Sequence, residues 1–202
     1  MRRIILTLLC LVPMCATAQV KTSLGLYATH GEAKIMTEAT RVKDNSTAYA
    51  YTEISTFKTW YGQFFYERKW WDTPIYLHAE YRGTVYDAFE NSAYVGASWC
   101  VFRNAGFLAL EPLAAWKQNL GFGAQLSVVG NWEWKWFSLE HYTDIWRTHK
   151  MQSLVDAYAE VRGYFKTCDW LSIGLVSTSY WSCSYSPDFG VYLALKINLS
   201  NG

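Results

Sequence analysis

Charge of one sign is the first thing this chain lacks: its formal net charge is +1. With charge so close to balanced, nothing suggests nucleic acid as a partner, and none is expected. Continuous apolar runs are also missing. Beyond the first twenty residues none reaches spanning-helix length, so no transmembrane helix is expected. Helical periodicity is not convincing anywhere, and no linker or low-complexity segment divides the chain. Cysteine is scarce, with five in all. Two of them fall in the N-terminal leader, and Cys100, Cys168 and Cys183 remain, an odd number that cannot all pair within one chain. No Cys-x-x-Cys spacing occurs. One disulfide could form in an oxidising compartment, but small residues tolerated among strands is the favoured reading.

The leader itself has the form of a secretory signal. Arg2 and Arg3 make a basic start, Ile4 to Met14 an apolar core, and Ala16-Thr17-Ala18 a small-residue cleavage site. Residues 1–18 are expected to be removed, leaving 19–202 as one domain. The rival, a lipoprotein signal acylated at Cys15, is disfavoured because Met14 is large where that processing wants a small residue.

What the chain does have is aromatic side chains, 18% of all residues, with 11 Trp. They are arranged at a period of two. In Gly121 to Arg147, one parity reads Leu126, Val128, Gly130, Trp132, Trp134, Trp136, and the other Gln125, Ser127, Val129, Asn131, Glu133, Lys135. Successive strand side chains point to opposite faces, so this is a two-faced hairpin, apolar on one side and polar on the other. Similar runs lie near 20–29, 33–43, 47–57, 61–69, 75–85, 92–102, 107–117, 123–133, 136–147, 154–165, 170–181 and 189–199. Each is about 10 residues, the length a tilted strand needs to cross a bilayer, where soluble strands run to about five or six. The pattern predicts an all-β, antiparallel transmembrane barrel of about twelve strands, with ten the alternative.

Turn chemistry supports that count. Lys43-Asp44-Asn45-Ser46, Trp71-Asp72-Thr73-Pro74, Arg103-Asn104-Ala105-Gly106, Lys166-Thr167-Cys168-Asp169 and the bend Trp134-Lys135-Trp136 all fall at one end, expected to be periplasmic. The opposite connections, such as Thr148 to Ser153, are expected outside. Tryptophans at strand ends (Trp60, Trp70, Trp71, Trp132, Trp134, Trp146, Trp170, Trp181) suit headgroup level. A soluble lipocalin-type barrel is the competitor, and it would turn its apolar parity inward. Strand number, the tryptophans and the paired acids and bases count against it. The weakest strands are the first two and the seventh, where Pro112 interrupts the ladder.

Alternation then assigns a lumen wall. Tyr51 and Glu53 point inward on the third strand, Tyr76, His78, Glu80 and Arg82 on the fifth, and Asp156, Tyr158, Glu160 and Arg162 on the tenth. Glu133, Glu140 and Asp144 join them from the hairpin, with Tyr142 and Tyr192. A barrel of this size lies between eight-stranded ones filled by side chains and sixteen-stranded ones with wide channels, so its bore is narrow. Tyrosine rings could stack on a base or sugar, and acids and arginines could bind ribose-type hydroxyls weakly enough for release. The competing role for these charges is to neutralise one another and plug the lumen. Catalysis has less support. Hydrolysis needs a serine beside a histidine, no serine is marked as a nucleophile, and His141 takes the lipid-facing parity. His78 and Glu80 with a neighbour could hold a metal ion, but the pattern is generic. No catalytic residue, metal or cofactor is assigned.

The segments WWDTPIYLHAEYRG (Trp70–Gly83), AYVGAS (Ala93–Ser98) and LGFGAQLSVVGNWEWKWFSLEHYTDIWR (Leu120–Arg147) resemble a bacterial family of small outer-membrane barrels related to the nucleoside-specific channel-forming (Tsx-like) porins. The positions that carry the likeness are Trp71, Thr73, Pro74, His78, Glu80, Tyr81, Asp144, Trp146 and Arg147. The resemblance implies a twelve-stranded barrel in the bacterial outer membrane and passive uptake of nucleosides or similar solutes. Its partners would be the lipid bilayer, the solute and the insertion machinery, with the barrel a monomer. A closed barrel with a structural or adhesive role is the alternative, and a lipid-modifying barrel enzyme ranks third.

Overall fold

The computed structural model describes residues 20–86, 88–103, 106–183 and 185–199. The leader at 1–18, with Cys15, lies outside the described residues, as do Asn104 and Ala105 of one turn. Every regular element among them is a strand: β1 Val20–Thr29, β2 Glu32–Lys43, β3 Ser46–Ser55, β4 Trp60–Lys69, β5 Ile75–Val85, β6 Phe89–Arg103, β7 Gly106–Lys117, β8 Gly121–Glu133, β9 Phe137–Thr148, β10 Asp156–Cys168, β11 Leu171–Ser182 and β12 Tyr185–Asn198. Each pairs antiparallel with its sequence neighbours, and β1 pairs with β12 (Leu24 opposite Ile197, Leu26 opposite Leu195), so the sheet closes into a barrel. Twelve strands is the count that the alternation predicts. No edge is left unpaired, as a span through lipid requires.

Turn residues set the register at the end where β1 begins and β12 ends, called proximal below. Asp44 takes a left-handed φ of 51° in the two-residue connection between Lys43 and Ser46, a conformation that Asp tolerates better than most residues. At the opposite, distal end, Gly31 (φ 100°) makes the equally short β1–β2 turn. The distal connections are no longer than tight loops, the largest being 149–155.

Polarity is inverted relative to a soluble barrel. Outward positions are apolar and exposed: Ile75, Leu77 and Tyr81 on β5, Val161 and Phe165 on β10, Val191, Leu193 and Leu195 on β12. Inward positions are polar and shielded, including His78, Glu80, Glu111, Gln125, Ser127, Asp144 and Glu160. Tryptophans ring both rims on the outside, with Trp70, Trp71, Trp134, Trp136 and Trp170 proximal and Trp116 and Trp181 distal, all exposed. Trp146 departs from the expected girdle. Two residues on from Asp144 it shares that residue's inward parity, and its ring lies 4.0 Å beneath Lys117 Nζ and 6.1 Å from the ring of Tyr180.

Pro112 lies within β7 rather than ending it. Its missing N–H is accommodated on the β6 side, where the pairing passes from Gly96–Leu113 to Trp99–Leu110. The β8 side stays continuous through Pro112–Leu126. The approach is close: a Cβ on Gly96 would stand 2.2 Å from the Pro112 carbonyl oxygen. Gly96→Ala is therefore expected to force the two strands apart and lower stability by about 1–3 kcal/mol, read by denaturant unfolding of the refolded barrel. Unchanged stability would show that the strands already have room.

Candidate functional site

The lumen holds two arginine-centred clusters. In the first, Arg82 on β5 forms ion pairs with Glu80 on its own strand and with Asp144 on β9, four strands away around the ring. Its guanidinium also lies 4.4 Å from the centre of the Tyr94 ring. Asp144 takes hydrogen bonds from Ser127 (2.6 Å), Tyr142 (2.6 Å) and Gln125 (2.9 Å), and only 2% of its surface is exposed. Gln63 donates to Glu80 at 2.6 Å. Every oxygen of this buried carboxylate pair is engaged, as burial of charge demands.

The second cluster is centred on Arg162 of β10. It pairs with Glu160, with Glu38 on β2 at 2.6 Å, and with Glu140 on β9 at 3.5 Å. Lys196 on β12 adds contacts to Glu140 (2.6 Å) and Glu38 (3.4 Å). Tyr158 donates to Glu160 and Ser23 to Glu38. Around them pack Tyr27, Met36, Tyr51, Tyr164 and Val176, with the Tyr27 and Tyr164 hydroxyls 2.8 Å apart. Closer to the distal mouth, Lys34 bridges to Glu53 at 3.1 Å, and Tyr51 donates to Glu53 at 2.6 Å.

Most wall residues expected from the sequence thus meet: Tyr51 and Glu53 in the second group, His78, Glu80, Arg82 and Asp144 in the first, and Glu140, Tyr158, Glu160 and Arg162 in the second. Three lie apart. Glu133 has the inward parity but sits at the proximal rim, its side chain 67% exposed and paired with Lys166 at 2.5 Å. Tyr76 lies at the same end, on the second residue of β5. Asp156 lies at the distal mouth beside Trp146 in register, receiving a hydrogen bond from Tyr180 at 3.1 Å. Glu38, Lys196, Lys34, Gln63, Glu67, Glu111 and Lys117 belong to the wall and were not singled out by sequence. Parity on β2 and β4 points to Lys34, Glu38, Gln63 and Glu67, but Met36 and Phe65 stand among the polar residues there and blur the signal. As expected, His141 lies on the outward parity, where its Nε2 meets the Thr143 hydroxyl at 3.1 Å. At His78 both ring nitrogens face carboxylates, Glu67 at 3.0 Å and Glu80 at 3.3 Å, so no serine–histidine pair is made there.

No protein-family model matches the chain, and no curated protein matches it. Solved structures do share its fold. The NanC porin superposes with a TM-score of 0.60 at 8% identity, over 90% of this chain and 100% of that one. The KdgM porin in complex with disordered oligogalacturonate superposes at 0.58 and 7% identity, over 89% and 99%. The KdgM porin alone gives 0.58 at 8% identity, with the same coverage. At such identities the likeness is one of architecture: a closed, antiparallel barrel.

Proposed function

We propose that this chain is an outer-membrane channel through which small solutes diffuse passively, narrowed at mid-height by the Arg82 and Arg162 clusters. The observation that carries the reading is the material of the constriction. It consists of ionised and aromatic side chains projecting from the wall, among the described residues, with no loop folded inward. Side chains of this kind can change rotamer with the strands left in place, whereas a plug segment would have to unfold. The apolar outer band and its tryptophan rims fit a bilayer, and the porin-like fold agrees with it.

For the solute, the distal mouth is informative. Trp146 offers a ring face, with Lys117, Tyr180 and Asp156 around it, a set suited to a heterocyclic base and ribose hydroxyls. Counted over the inward parity with both rims, the described wall carries more carboxylates (Glu32, Glu38, Glu53, Glu67, Glu80, Glu90, Glu111, Glu133, Glu140, Asp144, Asp156, Glu160, Asp188) than bases (Lys21, Lys34, Lys69, Arg82, Lys117, Arg162, Lys166, Lys196). That balance disfavours an anion such as the oligogalacturonate named with the KdgM porin, and it supports a neutral solute such as a nucleoside. Liposome swelling tests this. Vesicles holding the barrel are expected to swell faster in a nucleoside than in a galacturonate of similar size, and Trp146→Ala to reduce the difference. Equal rates would remove the nucleoside preference.

One observation favours a second reading. Tyr164, Met36 and Ser127 are fully shielded at mid-lumen and Asp144 nearly so, as in a sealed barrel of structural role. Absence of swelling with every solute, from a barrel shown to be inserted, would select it.

A further inference from the structure

We propose that Glu67, His78 and Glu111 form a binding site for one divalent transition-metal ion of the zinc type, in the proximal half of the lumen. The three side chains come from β4, β5 and β7, and each offers a ligand atom within 4.8 Å of the others. The fold brings them together by two devices. Glu67 and His78 are direct cross-strand partners. Glu111 belongs to β7, but the residue opposite His78 on the intervening β6 is Gly96, which puts no side chain between them and lets β7 approach to 2.2 Å from where a Cβ would stand.

The contacts suit a ligand set. A neutral imidazole carries one N–H, so it cannot donate to two carboxylates at once. His78 nevertheless has Nδ1 3.0 Å from Glu67 and Nε2 3.3 Å from Glu80. Either a second proton or a metal ion must stand on one side. Glu80 is already held by Arg82 and Gln63, and it occupies the place of the carboxylate that orients a metal-bound histidine through its other nitrogen. That assigns Nε2–H to Glu80 and frees Nδ1 to bind metal. Glu111 is oriented in the same manner, one oxygen accepting from Ser98 at 3.0 Å, which leaves the other free. Among the described residues, neither Glu67 nor Glu111 meets a lysine or arginine. A dication with one neutral imidazole and two carboxylates is charge-neutral, which suits a place closed to water. The Glu67–His78 separation of 3.0 Å is close to the about 3.3 Å expected between ligands about 2.0–2.1 Å from a tetrahedral ion, and the Glu111 carboxylate, within 4.8 Å, closes the set by a small swing. Phe65 stacks on the imidazole at 5.3 Å and fixes its plane. One histidine with two carboxylates selects zinc, cobalt or manganese over calcium, which takes oxygen ligands alone.

Cobalt(II) is the probe, because it reports its own coordination by visible absorption. The refolded barrel in detergent, stripped with chelator, is titrated with Co²⁺ and then with Zn²⁺ in competition. One Co²⁺ per barrel is expected, displaced by Zn²⁺, with the absorption lost in His78→Ala and affinity weakened at least about tenfold in Glu111→Gln. Glu111→Gln keeps size and the Ser98 contact, so it carries the test if His78→Ala fails to fold, which heat-dependent gel mobility shows. No uptake by the wild type overturns the site, as does uptake unchanged in Glu111→Gln, which would place the ion at exposed residues instead. The readout needs no transport, so a barrel that proves electrically silent leaves this site standing.

Discussion

Replacing Arg82 and Arg162 together by serine is expected to raise the single-channel conductance of the refolded barrel several-fold. The two guanidinium groups are what ties the wall across the lumen. Arg82 joins β5 to β9 and Arg162 joins β10 to β2, each pair four strands apart around the ring. Removing them opens space where the two arginines now crowd Tyr94, Tyr27 and Tyr51. Glu80, Asp144 and Glu160 then lose their main counter-charge, while Glu38 and Glu140 keep Lys196. In a dry interior, stripping one partner from a buried ion pair costs about 3–5 kcal/mol. In a lumen with water at both mouths the space admits solvent, so part of that cost becomes hydration of the carboxylates, and the gap becomes conductive. The widened path should also turn cation-selective, because the fixed charge left behind is negative. Stability falls moderately, since the interstrand ladder does not depend on these side chains. Each single variant should open the path less than the pair, because the other tie still crosses the lumen. Conductance unchanged in the double variant would mean that the arginines do not control the bore.

The second large effect is on the outside. Leu193 is 68% exposed, midway along β12, between Ala28 of β1 and Leu175 of β11 in register. On a soluble protein, Leu193→Arg at such a position would change stability by no more than about 0.5 kcal/mol. With lipid against this face, the same change costs about 2–4 kcal/mol near the bilayer midplane. Moving the substitution to Trp170 at the proximal rim should shrink the cost to about 0–1 kcal/mol. Reversible unfolding of the barrel from lipid vesicles measures both. A Leu193→Arg barrel as stable as the wild type would argue that no lipid covers this face.

Much of this architecture is legible in residue order, for a physical reason. A strand buried on neither side by protein alone must alternate, and alternation survives in a string. Ile75 to Arg82 and Asp156 to Arg162 alternate cleanly, and the structure turns each residue as its parity demands. Trp146 shows where one cue overrode another. Its parity, shared with Asp144, points inward, whereas its residue type suggested a rim. The ladder decides, because a strand cannot rotate one side chain without flipping its neighbours. Pairings across the lumen were not legible. Glu38 meets Arg162 and Lys196 because barrel closure brings β2, β10 and β12 round one bore, and no local period encodes that. The metal-type constellation was hidden for the same reason. His78 and Glu80 share a strand, but Glu111 comes near His78 only because Gly96 between them carries no side chain.

A polar, side-chain-gated lumen that crosses a membrane and passes small solutes conducts ions. Planar-bilayer recording of the refolded wild-type barrel tests it most directly. Discrete, small conductance steps are predicted, enlarged in the Arg82→Ser, Arg162→Ser variant and partly blocked by added nucleoside. A flat trace from wild-type protein that is demonstrably folded and inserted would contradict it.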